Sequence, residues 1–74
     1  MLELDCRDLP CPRPIIELAK ALPDVEVGGL LAVVACDPAA RYDVPAWCRL
    51  RGQEYVGEEA AEDGAPRYVV RRVS

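Results

Sequence analysis

The chain has 74 residues, 51% of them apolar and 30% charged, with a formal net charge of −4. This describes one soluble globular domain over residues 1–74, too short for two cores or an enclosed cofactor and too apolar for a disordered tail. The acidic balance argues against a nucleic-acid partner held through phosphates, no apolar run is long enough for a membrane span, and the absence of histidine removes the commonest general base and zinc ligand.

Leu2-Glu3-Leu4-Asp5 alternates apolar and polar residues, the period of a half-buried strand. Pro10, Pro12 and Pro14 then exclude a strand interior. Ile15, Leu18, Ala19 and Leu22 recur at i, i+3, i+4 and i+7, one face of a helix that Pro23 is expected to stop. Gly28-Gly29 is a turn, and Leu30 to Ala35 is apolar on both sides, as a central strand must be.

Asp37-Pro38 turns the chain into a second helix between Ala39 and Arg51, with Ala40, Val44, Trp47, Cys48 and Arg51 on one face. Pro45 is then expected in the first turn and Gly52 as a left-handed end cap. Gln53–Val56 and Arg67–Val73 are strand-like, joined by a turn at Asp63-Gly64. The acidic run Glu58 to Asp63 reads as a solvated strand end and turn. The expected fold is an α/β two-layer sandwich of order β-α-β-α-β-β, two helices on one face of a mixed four-stranded sheet. The uncovered face of its central strand is apolar, which is consistent with a monomer or a weak dimer.

The stretch with chemical content is Cys11-Pro12-Arg13-Pro14. Placed at a helix entry, Cys11 is the N-cap, with Pro12 at N1 and Pro14 at N3, where missing N–H groups cost no helical bond. Cysteine is a poor cap, so its presence needs another reason. A thiol at the positive end of a helix dipole ionises more readily; lowering its pKa from about 8.5 to about 7 raises the thiolate fraction at neutral pH from about 3% to half. The donors left near its sulfur are expected to be the N–H groups of Arg13 and Ile15, with the Arg13 side chain a candidate for added positive charge. Without histidine, acyl transfer on a cysteine–histidine dyad is excluded. Sulfur transfer through a persulfide needs no such base.

Asp5-x-Arg7-x-Leu9-x-Cys11-Pro12-x-Pro14, followed by Asp37-Pro38-Ala39, Asp43-Val44-Pro45-Ala46-Trp47-Cys48 and Gly52-Gln53-Glu54, resembles the TusA-like sulfur-carrier proteins, also called the SirA-like family. The resemblance spans nearly the whole chain. It implies that Cys11 accepts a sulfane sulfur from a cysteine desulfurase or rhodanese-like enzyme and passes it to an acceptor protein. The destinations it implies are tRNA thiolation, molybdenum-cofactor synthesis or sulfur metabolism. Pro12 and Pro14 carry over as the frame, and no cofactor or metal is implied. Asp8 stands where such proteins usually have glycine, and Cys6 and Cys36 replace the expected Ala and Asp.

The remaining cysteines have packing roles as their first reading. Cys6, five residues before Cys11, is read as a buried small residue, with resolution of a Cys11 persulfide through a disulfide as the alternative. Cys36 and Cys48 are expected in the core, and Trp47 against the sheet edge. Asp43 is expected to help cap the second helix, with partner binding as its alternative role. No Cys-x-x-Cys pair is present, so no zinc site is expected. The N-terminus has no export signal, and the expected location is the cytoplasm. Two functions compete with sulfur relay: a non-catalytic interaction or regulatory module, and a Cys6/Cys11 thiol redox protein.

Overall fold

The computed structural model of the protein describes residues 1–10 and 12–74. Its elements are β1 (Leu2–Asp5), α1 (Arg13–Ala21), a 3-10 turn (Leu22–Asp24), β2 (Leu30–Val34), α2 (Ala40–Arg51), β3 (Glu54–Ala60) and β4 (Pro66–Arg71). The strands form one sheet in the order β1-β2-β4-β3. β1 runs parallel to β2, with Leu4 opposite Val33; β4 runs antiparallel to both β2 and β3. The expected α/β sandwich is therefore observed.

The apolar character of β2 on both sides explains its central place. Leu31 and Val33 face the helices together with Tyr68 and Val70 of β4, and all four are buried. Against them pack Leu18 of α1 and Ala40, Val44, Trp47 and Cys48 of α2, all picked out by helical spacing, together with Ala21, which the spacing does not single out; Ile15, Ala19 and Leu22 are only partly buried against this core. Arg51 stays exposed and lays its guanidinium 6.0 Å from the centre of the Trp47 ring.

On the opposite face, Ala32 and Val34 are also closed to solvent. Arg67, beside Val34 in the register, bonds Glu59 on β3 at 2.8 Å and reaches Glu3 on β1 at 2.8 Å. To join those two strands its stem must lie across β2, covering the apolar side chains while its charged head stays at the rim. Arg71–Glu54 adds a further cross-strand pair at 3.6 Å. The open apolar face that would have favoured a weak dimer is thus replaced by a charged cover.

The α-helix ends at Ala21, ahead of Pro23 as expected, and Pro23 itself sits within the 3-10 turn that follows, where its missing N–H costs nothing. Two boundaries differ from expectation. Pro45 lies inside α2 and not in its first turn, because the helix begins at Ala40, and the Arg41 carbonyl loses its usual N–H donor. β3 continues to Ala60, carrying part of the acidic run: a register shift between Tyr55 and Gly57 absorbs the irregularity, and Glu58 and Glu59 gain arginine partners.

Gly52 ends α2 with φ 72°, and its N–H returns to the Cys48 carbonyl. Space is open around it, so only the backbone conformation demands glycine. Gly52→Ala is expected to lower stability by about 1 kcal/mol, measured by urea denaturation with an unchanged m value.

Candidate functional site

Because β1 and β2 are parallel neighbours, both enter their following loops at the same end of the sheet. The Cys6 N–H donates to the Val34 carbonyl at 2.8 Å, extending the pairing one step beyond β1. One loop leads to α1 and the other to α2, and the β3–β4 turn lies at the same end, since the Ala35 N–H donates to the Pro66 carbonyl at 3.2 Å. Three segments therefore meet where the proline-framed motif opens α1.

Cys11 itself lies outside the described residues. The N-cap position is held by Pro12, with φ −97° and ψ 16°, so α1 starts one residue later than expected and Pro14 stands at its second position, buried. Pro12 and Arg13 are exposed. The first turn holds no acidic residue, so nothing within it opposes the positive end of the helix dipole.

The expected N–H donors are already used. The Arg13 N–H donates to the Pro10 carbonyl at 2.9 Å, and the N–H groups of Ile15 and Ile16 donate to Pro12 at 3.0 and 3.1 Å. Proline at the second helical position has no N–H at all. Among the described residues, the helix entry offers an anion its dipole and the exposed Arg13 side chain.

Asp8 is exposed, and no described residue other than glycine has a positive φ. Aspartate at this position therefore carries no left-handed strain. Asp43 is half-buried and is the acidic residue in the first turn of α2. Asp37 also serves this helix start, its Oδ1 accepting the Ala39 N–H at 2.9 Å and its carbonyl accepting the Ala40 N–H.

The cysteines divide by position. Cys6 is buried in the core, where burial pushes its thiol pKa up, helped by the nearby Glu17 and Asp5 and opposed by Arg13. Cys48 is buried on α2, and burial raises its thiol to about 11. Cys36 corrects its expected core position: Ala35 keeps the inward alternation of Leu31 and Val33, which puts Cys36 outside and exposed. All three are free thiols. Trp47, expected against the sheet edge, is a member of the buried core.

One contact at this end was not foreseen. Arg7 directs two guanidinium nitrogens onto the Asp63 carboxylate, at 2.8 and 3.2 Å, and a third toward Asp5 at 2.9 Å. The Asp63-Gly64 turn and the Arg7 of the motif are both visible in the sequence, but nothing local pairs residues 56 apart.

Among the described residues, no group of His, Cys, Asp or Glu could hold a metal ion, and no helix is long and apolar enough to cross a membrane. An open depression lined by Met1, Leu2, Val25 and Gly29 lies at the opposite end of the sheet.

Two outcomes follow from the thiol environments. With a haloacetamide near pH 8, Cys36 is expected to label in the native protein and Cys6 and Cys48 only after denaturation, as read by peptide mass mapping. The Cys48 thiol moves from an ordinary 9.0 to about 11 on folding, so its contribution to stability is complete below pH 9 and lost as pH rises through 11. Replacing Cys48 with alanine should flatten the alkaline slope of stability in denaturation curves between those values.

Residues 2–72 match the family described as Sulfurtransferase TusA. The chain is 43% identical over 72 residues to the sulfur carrier protein TusA of Pseudomonas syringae pv. syringae (strain B728a), covering 97% of this chain and 84% of that one. It is 41% identical over 69 residues to the sulfur carrier protein TusA of Pseudomonas aeruginosa (strain PAO1), covering 93% and 86%. The crystal structure of a SirA-like protein from Desulfitobacterium hafniense superposes over the full length of both chains with a TM-score of 0.83 at 21% identity, which speaks to the fold.

Proposed function

Since the chain belongs to the TusA family of sulfur carriers, we propose that Cys11 is its sulfur-bearing residue. In this reading Cys11 takes a sulfane sulfur from a cysteine desulfurase or rhodanese-like donor and yields it to an acceptor protein. The observation that carries this is the position of Cys11, immediately before the Pro12 cap of α1, in a chain that matches the family from residue 2 to residue 72.

The chemistry is redox-neutral. The Cys11 thiolate attacks the outer sulfur of a donor persulfide. The donor's S–S bond breaks, leaving a donor thiolate, and a new S–S bond forms on Cys11. The acceptor thiolate then attacks the outer sulfur of the Cys11 persulfide; that S–S bond breaks, a new one forms on the acceptor, and Cys11 leaves as thiolate. No base beyond solvent is needed. The α1 dipole and the exposed Arg13 favour the anion at both stages. Prolines at the cap and at the second helical position restrict the backbone next to the thiol, so it is presented with little ordering cost when a partner docks.

A disulfide cycle between Cys6 and Cys11 is a weaker reading. Cys6 is buried and its thiol pKa is raised, which suppresses the thiolate that such a cycle requires. The free thiols of Cys6, Cys36 and Cys48 accord with a reducing compartment, which in our reading is the cytoplasm. A binding-only module of the same fold would leave Cys11 as unreactive as a peptide thiol.

The test is intact mass after incubation with L-cysteine and a cysteine desulfurase, repeated with thiosulfate and a rhodanese-like donor. Wild type and Cys36→Ser are expected to gain one sulfur atom, released by reductant, and Cys11→Ser none. Loading that persists in Cys11→Ser removes the assignment.

A further inference from the structure

Residues 6–12 join β1 to α1 and are poor in backbone donors, since two of them are prolines. Among the described residues its backbone bonds are Cys6 N–H to the Val34 carbonyl, Leu9 N–H to the Cys6 carbonyl at 3.1 Å, and the Pro10 and Pro12 carbonyls accepting from Arg13, Ile15 and Ile16. Side chains add further anchors. Cys6 is buried in the core and Leu9 packs against it. Arg7 fastens the segment from the outside.

The Arg7 anchor is attached at both ends. On its own side, the Arg7 N–H donates to Asp5 Oδ1 at 3.2 Å and the guanidinium meets the same carboxylate. On the far side it forks onto Asp63, which is itself fixed: Asp63 Oδ1 accepts the Ala65 N–H at 3.1 Å, and the turn closes with Ala61 N–H to the Ala65 carbonyl at 2.8 Å. That turn is tied to the central strand through Ala35 and Pro66. The Arg7 side chain is only 29% exposed, and the planar fork suits a carboxylate in a way a lysine ammonium cannot. The pKa values of Asp5 and Asp63 are both held down by hydrogen bonds to Arg7, as a formed network requires.

We propose that Arg7 is the positioning residue of the sulfur-bearing loop, latching it to the β3–β4 turn through Asp63 so that Cys11 is presented in one geometry to its donor. The proposal rests on the assignment of sulfur loading to Cys11. Arg7 takes no part in the bond changes; it limits the arrangements the loop samples before a partner arrives.

The experiment compares wild type, Arg7→Ala, Arg7→Lys, Asp63→Asn and the double variant Arg7→Ala/Asp63→Asn, all in a Cys36→Ser background. Three quantities are read: the second-order rate of sulfur loading from the desulfurase, hydrogen exchange at the Leu9 amide, and the melting temperature. Loss of a partly exposed forked pair should slow loading about fivefold and reduce Leu9 protection similarly in Arg7→Ala and Asp63→Asn. The double variant should be no worse than either single one, Arg7→Lys should fall between, and the melting temperature should move little. Wild-type loading or unchanged Leu9 protection in Arg7→Ala overturns the proposal. So does a double variant in which the two losses multiply, or a loading loss that merely follows melting temperature. If wild type loads no sulfur, or Cys11→Ser loads as well as wild type, the Cys11 assignment fails and the positioning role falls with it.

Discussion

The parallel pairing of β1 with β2 is the constraint from which the remaining geometry follows. Parallel neighbours cannot be joined by a tight hairpin, so the chain must cross over the sheet, and α1 is that crossover. The same pairing delivers both strand ends to one edge of the molecule, where the Cys6–Val34 bond sets the two β–α loops side by side. The loop ahead of α1 therefore has fixed neighbours: the Cys36–Ala39 segment and the β3–β4 turn. β2 can occupy the centre because its two faces are both apolar, one packed by helices and the other roofed by Arg67.

That roof has a functional side. A sheet with one bare face presents apolar surface to other proteins. Here Glu3, Glu54, Glu59, Arg67 and Arg71 cover it with paired charge. The pairs are exposed and individually weak, but together they make the face polar and nearly neutral. Arg13, at the loop end, and Tyr42 and Leu50, on the outer surface of α2, are exposed.

The prolines of the motif act in two ways. They restrict the backbone beside the thiol, and they remove amide donors from the loop and from the first turn of α1. Of the described donors, those of Arg13, Ile15 and Ile16 close onto the Pro10 and Pro12 carbonyls. The Arg7 side chain adds a tie from this loop to the β3–β4 turn.

Properties that depend on a few consecutive residues were readable before any coordinates: the alternation of Leu2–Asp5, the two-sided apolar run of β2, the helical spacing of Leu18 and Val44, and the proline-framed cysteine. Hydrophobic period and proline stereochemistry act over one or two turns of chain, so local order carries them. Side-chain partners and burial at element ends were not readable in this way. Cys6 is buried and Cys36 exposed although each follows a strand, because Cys6 falls on the inward side of its strand's alternation and Cys36 on the outward side, a parity that the two-sided apolar run of β2 does not reveal. Asp37 serves the start of α2 because the helix begins one turn before Pro45's first-turn position would allow. Arg7 meets Asp63, and Arg67 meets Glu3, across 56 and 64 residues of chain. Strand order chooses such partners, and that order is settled by how the whole sheet buries β2.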